Sequence, residues 1–250
     1  MPMPAATAPR STSGSFSTSH FDEALRKALE NKADQPVVAM EAVAGLLDEY
    51  AEEGLRQRLL RLLADRQAIA ELAARSYLHG NGFYKIVLAA NDSFKLRLHV
   101  WFPGSDAEEN IHDHRWWFAS RILCGQLASA VYEEAAHADA VAYREYLYFG
   151  RNAETGARVE EIGSTRLVIR GHRVRRPGDS YVLAPGVLHR ILHADPDAVT
   201  ATLMCQAAPA RDWNRLLPSR PLQPDVAQRP LTKAQLVRVL KRYLSSREAN

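Results

Sequence analysis

Two histidines set two apart are the first residues in this chain whose types and spacing could do chemistry. The segment Asn110-Ile111-His112-Asp113-His114 carries that pair. On an extended strand, residues two apart project to one side, so both imidazoles can reach one cation. The bond lengths would be about 2.1 Å. The pair alone says little, because such spacing also arises by chance; its weight comes from a second segment. Gly178-Asp179-Ser180-Tyr181-Val182-Leu183-Ala184-Pro185-Gly186-Val187-Leu188-His189 reads as a strand, a proline-glycine turn and a histidine entering a new strand. In an antiparallel barrel, His189 can sit opposite His112 and His114. Three neutral imidazoles then hold a divalent metal and leave positions open. Imidazole suits iron, copper, zinc, nickel and manganese; iron or copper makes sense where oxygen is to be activated.

The elements that must position these residues can be read from the hydrophobic period. Phe21, Leu25, Ala28 and Leu29 repeat at three and four, and Pro36 opens a second helix carrying Val37, Met40, Val43, Leu47 and Tyr50. A third helical stripe runs Leu55, Leu59, Leu62, Leu63, Ile69 and Leu72. At Gly80-Asn81-Gly82 the period changes to two. Phe94, Leu96, Leu98, Val100 and Phe102 alternate with Lys95, Arg97, His99 and Trp101, and Pro103-Gly104 stops the strand. Further strand-like runs are 83–89, 116–124, 126–134, 142–150, 164–173, 178–183, 187–193 and 198–206. With no helix between them, they predict a β-sandwich or small barrel. Residues 214–230 hold Pro218, Pro221, Pro224 and Pro230 and predict an extended loop; 231–245 return to helical spacing, with Thr232 as the helix start.

Composition sets outer bounds. The chain has 250 residues, 46% hydrophobic and 24% charged, as expected of a globular protein. The net charge of +3 is too mild to indicate a nucleic-acid partner. No apolar run approaches the roughly 18 residues of a membrane span. Two cysteines, Cys124 and Cys205, cannot form a disulfide framework and point to the cytoplasm. Residues 1–19 are rich in Ser, Thr, Ala and Pro and predict a disordered tail. The remaining organisation expected is N-terminal helices over 20–79, a metal-binding barrel over 80–210, and a proline-rich wrap with a C-terminal helix over 211–250.

The Ile-His-Asp-His segment resembles the first motif of the cupins, and the Gly178–His189 segment resembles their second. Within that superfamily the match is nearest to the thiol dioxygenases, such as the cysteine dioxygenases, which also open with helices. The resemblance covers roughly residues 80–206. It implies a mainly β fold, a single cupin (double-stranded β-helix) barrel with an N-terminal helical layer and a C-terminal helix. It also implies His112, His114 and His189 as ligands of one iron(II) per chain. The departures are informative. Many cupins place a glutamate four or five residues after the second histidine, and cysteine dioxygenases a cysteine; here those positions are Phe118 and Ala119, which cannot ligate a metal. Thiol dioxygenases carry a His and a Tyr two apart on the last barrel strand, whereas this chain has Met204 and Gln206. Gln206 can hydrogen-bond but cannot titrate.

The resemblance places Lys85 close to the arginine with which cysteine dioxygenases hold a substrate carboxylate. A lysine offers a point charge where arginine offers a bidentate fork. Arg97, His99 and Trp101 share one face of their strand, which lines the pocket or faces solvent. Arg121 reads equally as a charge for an anionic substrate or as an exposed ion-pair residue. The basic cluster Arg170, His172, Arg173, Arg175 and Arg176 reads as a solvated loop.

Lys85, Arg97 and Gln206 are thus the candidate substrate-handling residues. The expected function is an iron(II) cupin oxygenase acting with dioxygen on a small anionic, amino-acid or thiol-like substrate. The expected state is a monomer or homodimer without nucleic-acid or membrane partners. The rivals are a cupin isomerase, lyase or hydrolase with a non-redox metal, and a non-enzymatic cupin that binds a small ligand.

Overall fold

The structure is a computed structural model that describes residues 20–105, 109–152, 156–194, 196–219 and 230–248. The side chains of 151, 152, 156, 157, 193 and 194 fall outside that description. The tail expected over 1–19, and residues 220–229 of the proline-rich stretch, lie outside the described residues.

Four helices come first: α1 (His20–Glu30), α2 (Pro36–Tyr50), α3 (Glu53–Ala64) and α4 (Arg66–Arg75). The single stripe expected from Leu55 to Leu72 is two helices. Asp65 breaks it: its backbone is extended, and its carboxylate accepts the N–H groups of Gln67 at 2.8 Å and Ala68 at 3.0 Å. Those two donors would otherwise be orphaned at the start of α4. The last helix, α5 (Lys233–Glu248), begins with a reciprocal cap. Thr232 Oγ1 accepts from the Gln235 N–H, and Gln235 Oε1 accepts from the Thr232 N–H.

The strands are β1 (Tyr77–Leu78), β2 (Tyr84–Ala90), β3 (Phe94–Trp101), β4 (Ile111–His112), β5 (Phe118–Cys124) and β6 (Leu127–Glu134). They continue with β7 (Val141–Asn152), β8 (Gly156–Arg175), β9 (Ser180–Leu183), β10 (His189–Ala194), β11 (Thr200–Ala207) and β12 (Asn214–Leu217). One sheet has the order β1-β2-β3-β11-β5-β9, and the second closes on itself as β10-β4-β12-β7-β8-β6. From β3 onward the chain passes between the two sheets, except that β6, β7 and β8 follow one another in the second, so the fold is a mainly β, double-stranded β-helix barrel with helices at both ends. Every pairing is antiparallel.

Two strands of the second sheet carry no period that a sequence could display. Strand β4 has two residues. Strand β12 lies where the sequence predicts a loop; it fills the gap between β4 and β7 and buries Leu217 completely.

The period-two pattern of β3 sorts its side chains. Phe94, Leu96, Leu98 and Val100 face outward into one apolar cluster with Leu25, Met40, Leu47, Leu59, Leu72 and Leu240 of the helices. Helices therefore cover the outer face of the first sheet. Each such leucine taken out of water contributes about 1.5–3 kcal/mol. The alternate residues Arg97, His99 and Trp101 face the barrel interior.

Candidate metal centre

The two histidine segments are brought together by the second sheet. His189 pairs directly with His112 across β10 and β4. The turn between the second segment's strands adds a further tie: the Gly186 N–H donates to the His114 carbonyl at 3.2 Å. Gly186 makes that turn at φ +83°, in the left-handed region where a glycine costs least. The outcome is a cluster of His112, His114 and His189 with ligating nitrogens all within 4.8 Å of one another. Their ring centroids lie 4.7 to 5.0 Å apart.

The donor set suits a divalent metal. Nδ1 of His112 lies 2.9 Å from the Asn110 carbonyl, and Nδ1 of His189 lies 2.9 Å from the Val187 carbonyl. A carbonyl only accepts, so both rings carry their proton on Nδ1 and keep Nε2 free for a cation. Burial and the neighbouring His112 and His189 hold His114 well below the ordinary imidazole range. Burial, then His112, pushes His189 down to about 3. Neutral imidazoles are the form a metal takes. Trp116 stacks on His114 at 5.4 Å and Phe118 meets it edge-on at 5.1 Å, which limits water beside the cluster.

The candidate substrate residues lie across the chamber, on the first sheet. One row of facing residues reads Val87, Arg97, Met204, Ser120 and Tyr181; the adjacent row reads Lys85, His99, Thr202 and Ile122. Gln206 lies between Lys95 and Phe118. Lys85, Arg97 and Gln206 are thus brought to one wall. Lys85 is held between the rings of Tyr77 and Phe83, its Nζ 5.6 and 5.5 Å from their centroids. Burial first, then Arg97, pushes Lys85 down to about 7, with Glu109 opposing. The Arg97 guanidinium lies 5.7 Å from the Trp116 ring, one aromatic ring away from His114. Three buried polar atoms of this wall have no hydrogen-bond partner: Arg97 Nε, His99 Nε2 and Gln206 Oε1. Buried polar atoms without partners are rare and mark places where a bound molecule completes the network.

Arg121 points outward and pairs with Asp48 of α2 at 2.5 Å, so it does not reach the chamber. Trp117 packs on the helical cluster, while Trp116 and Phe118 flank His114. The basic residues His172 and Arg173 are exposed on β8, while Arg175 turns inward to the Tyr181 ring at 3.8 Å. Cys124 and Cys205 are free and buried, and burial pushes both thiols up. Such thiols are poor nucleophiles.

Several chamber residues carry no signal in the sequence. His79, after β1, stacks on Phe83 at 4.7 Å and is pushed down to about 2 by burial and then Lys85. Glu109 is buried and accepts from the Ile191 N–H at 3.2 Å. Lys95 and Arg115 bring further positive charge beside Arg97. A single residue on a short loop or at a strand end has no periodic context that could have flagged it.

Comparison with known proteins yields structural likenesses only. No protein-family profile and no curated protein matches the chain. Among solved structures it is similar to a variant of oxalate decarboxylase from Bacillus subtilis, at 12% identity and a TM-score of 0.32, over 55% of this chain and 28% of that one. The chain thus spans little more than a quarter of that protein's length. It is also similar to an RmlC-like cupin from Shewanella frigidimarina, at 17% identity and a TM-score of 0.29, over 59% of this chain and 86% of that one. A third likeness is to a hydroquinone 1,2-dioxygenase in complex with Cd2+ and 4-hydroxybenzonitrile, at 13% identity and a TM-score of 0.32, over 56% of this chain and 70% of that one. At such identities and scores no property passes from those proteins to this chain. The description of its barrel rests on its own strand order and register.

Proposed function

We propose that the protein is a non-haem iron(II) cupin oxygenase that acts with dioxygen on a small organic anion of amino-acid or thiol-like size. The observation that supports this reading best is the donor set. His112, His114 and His189 form a group with no carboxylate in it, so a divalent ion there keeps its full charge and attracts an anion directly. When bound, iron(II) supplies the electrons that dioxygen needs and an organic substrate gives up slowly.

The protein's own residues do the rest. The carbonyls of Asn110 and Val187 hold the rings of His112 and His189 in their ligating tautomer. Trp116 and Phe118 exclude water beside His114. Lys85 and Arg97 orient the anion from the opposite wall, and Gln206 offers it a hydrogen bond.

Metal analysis of the purified full chain, combined with oxygen-electrode measurements over a panel of small acids and thiols, tests the proposal. One iron per chain and substrate-linked oxygen uptake are expected. Stoichiometric zinc, manganese or nickel without oxygen uptake would overturn it in favour of an isomerase or lyase. A folded, metal-free protein would overturn it in favour of a ligand-binding cupin.

A further inference from the structure

The chamber is more positively charged than one simple anion requires. Lys85 and Arg97 face the interior from adjacent strands, with Val87 opposite Arg97 and His99 opposite Lys85. Lys95 continues the same face toward the rim, and Arg115 stands beside it over the Trp116 ring at 5.3 Å. None of these four cations makes an ion pair with a carboxylate among the described residues. Several arginines elsewhere do pair, as Arg58 does with Asp22, Arg121 with Asp48, Arg211 with Asp113, and Arg247 with Glu52, while Arg175 and Arg190 lie over aromatic rings without a carboxylate partner among the described residues.

Clustered cations of like sign in a partly dehydrated space repel one another and lose hydration. The downward shift of Lys85, caused by burial and Arg97, is the expected mark of that cost. Glu109 is the one described carboxylate whose charge is felt at Lys85, and it also bonds the Ile191 N–H. A divalent ion on neutral histidines would raise the positive charge further. The unpartnered Arg97 Nε lies on the same wall and is a donor without an acceptor. The Gln206 amide can turn either its oxygen or its NH2 inward.

Resting on the metal-centre reading above, we infer that the chamber is built for an organic dianion: one acidic group reaches the three-histidine end, and a second lies between Lys85 and Arg97. A monoanion leaves most of the positive charge uncompensated. A zwitterion brings an ammonium into a chamber that already holds unpaired cations. The rim charges of Lys95 and Arg115 would draw such a dianion in, and their effect would fall with ionic strength.

The test is calorimetric titration of the full chain, metal-loaded and metal-stripped, with three probes of matched length: malonate, propanoate and β-alanine. Malonate is expected to bind at least tenfold more tightly than propanoate, and β-alanine more weakly than either. Lys85→Met should cut malonate affinity by tenfold or more while changing propanoate affinity less, and Lys85→Arg should restore part of the loss. Circular dichroism and metal content, unchanged in both variants, would exclude misfolding. If either variant fails to fold, the salt dependence of malonate binding to the parent chain decides, a steeper decline than for propanoate being expected. Equal affinities for malonate and propanoate, or β-alanine binding as tightly as malonate, would overturn the inference. The two proposals fail separately. Malonate preference without oxygen uptake on any dianion leaves the dianion site standing and removes the oxygenase. Oxygen uptake driven by a zwitterion does the reverse.

Discussion

Asp113 and Arg211 form an ion pair directly behind the histidine cluster. Asp113 stands between His112 and His114 in the chain and therefore projects to the opposite side. There it is fully buried, and its Oδ2 accepts from the Arg211 guanidinium at 2.5 Å. Its Oδ1 accepts from the Arg215 N–H at 2.7 Å, and its own N–H donates to the Arg215 carbonyl at 3.2 Å. A single carboxylate thus fastens β12 and the segment before it to the segment that carries His112 and His114.

That fastening makes Asp113 a stability residue with a readable effect on the site. Asp113→Ala leaves the Arg211 charge and the Arg215 N–H without their acceptor. Losing a hydrogen bond to a charged group costs about 1.5–3 kcal/mol. Chemical denaturation should show a loss of that size, with metal affinity falling as β4 loosens. A variant as stable as the parent would show that β12 is held by its strand pairing alone.

The three histidines should behave as a unit. Replacing His112, His114 or His189 by Ala removes one of three donors, whereas disturbing only a group that orients a ligand costs about 10–100-fold in affinity. Metal retained after dialysis against a weak chelator should fall by more than that in each variant, with folding intact. A His112→Ala protein that keeps a full, tightly held metal would remove the site assignment.

Lys85 gives anion binding a pH dependence whose sign follows from its shift. In the free protein it is pushed down from the usual lysine range to about 7. Below that pH it is charged and binds an anion. Above it, binding must take up a proton, so affinity falls as pH rises. Malonate titrations near pH 8 in buffers of different ionisation heat should reveal proton uptake, absent in Lys85→Met. For stability the sign is the same as for any base charged more readily when unfolded. Between about 7 and the ordinary lysine value the unfolded chain binds more protons, so this residue's contribution rises with pH.

Cysteine should be a poor substrate. Met204 and Gln206 sit on the inner face of β11, close to Arg97 and Phe118 in register, and neither can titrate there. The ammonium of cysteine would also meet Lys85 and Arg97. An assay for cysteine sulfinic acid with the iron-loaded protein should find turnover far below the roughly 1–1000 per second typical of enzymes. Robust conversion would contradict both arguments.

What could be read from the residues alone was local or periodic. Two histidines two apart, a proline-glycine turn and a third histidine define a metal-site pattern, because strand geometry fixes which side chains share a side. The alternation from Phe94 to Phe102 likewise separates two faces of β3. Which face is inside could not be read there. An apolar-and-polar alternation ordinarily puts the apolar face in the core and the polar face in water. Here the helices take the apolar face, as the packing of Leu96 and Leu98 on Leu25 and Leu72 shows, and the polar face is left for the chamber. Only the packing of distant segments decided that Arg97 and His99 line an interior, that Arg121 does not, and that His79, Glu109 and Arg115 join them. Charge clustering and the Asp113–Arg211 pair are of the same kind. They depend on distances between residues far apart in the chain, which register and sheet closure set and local spacing does not encode.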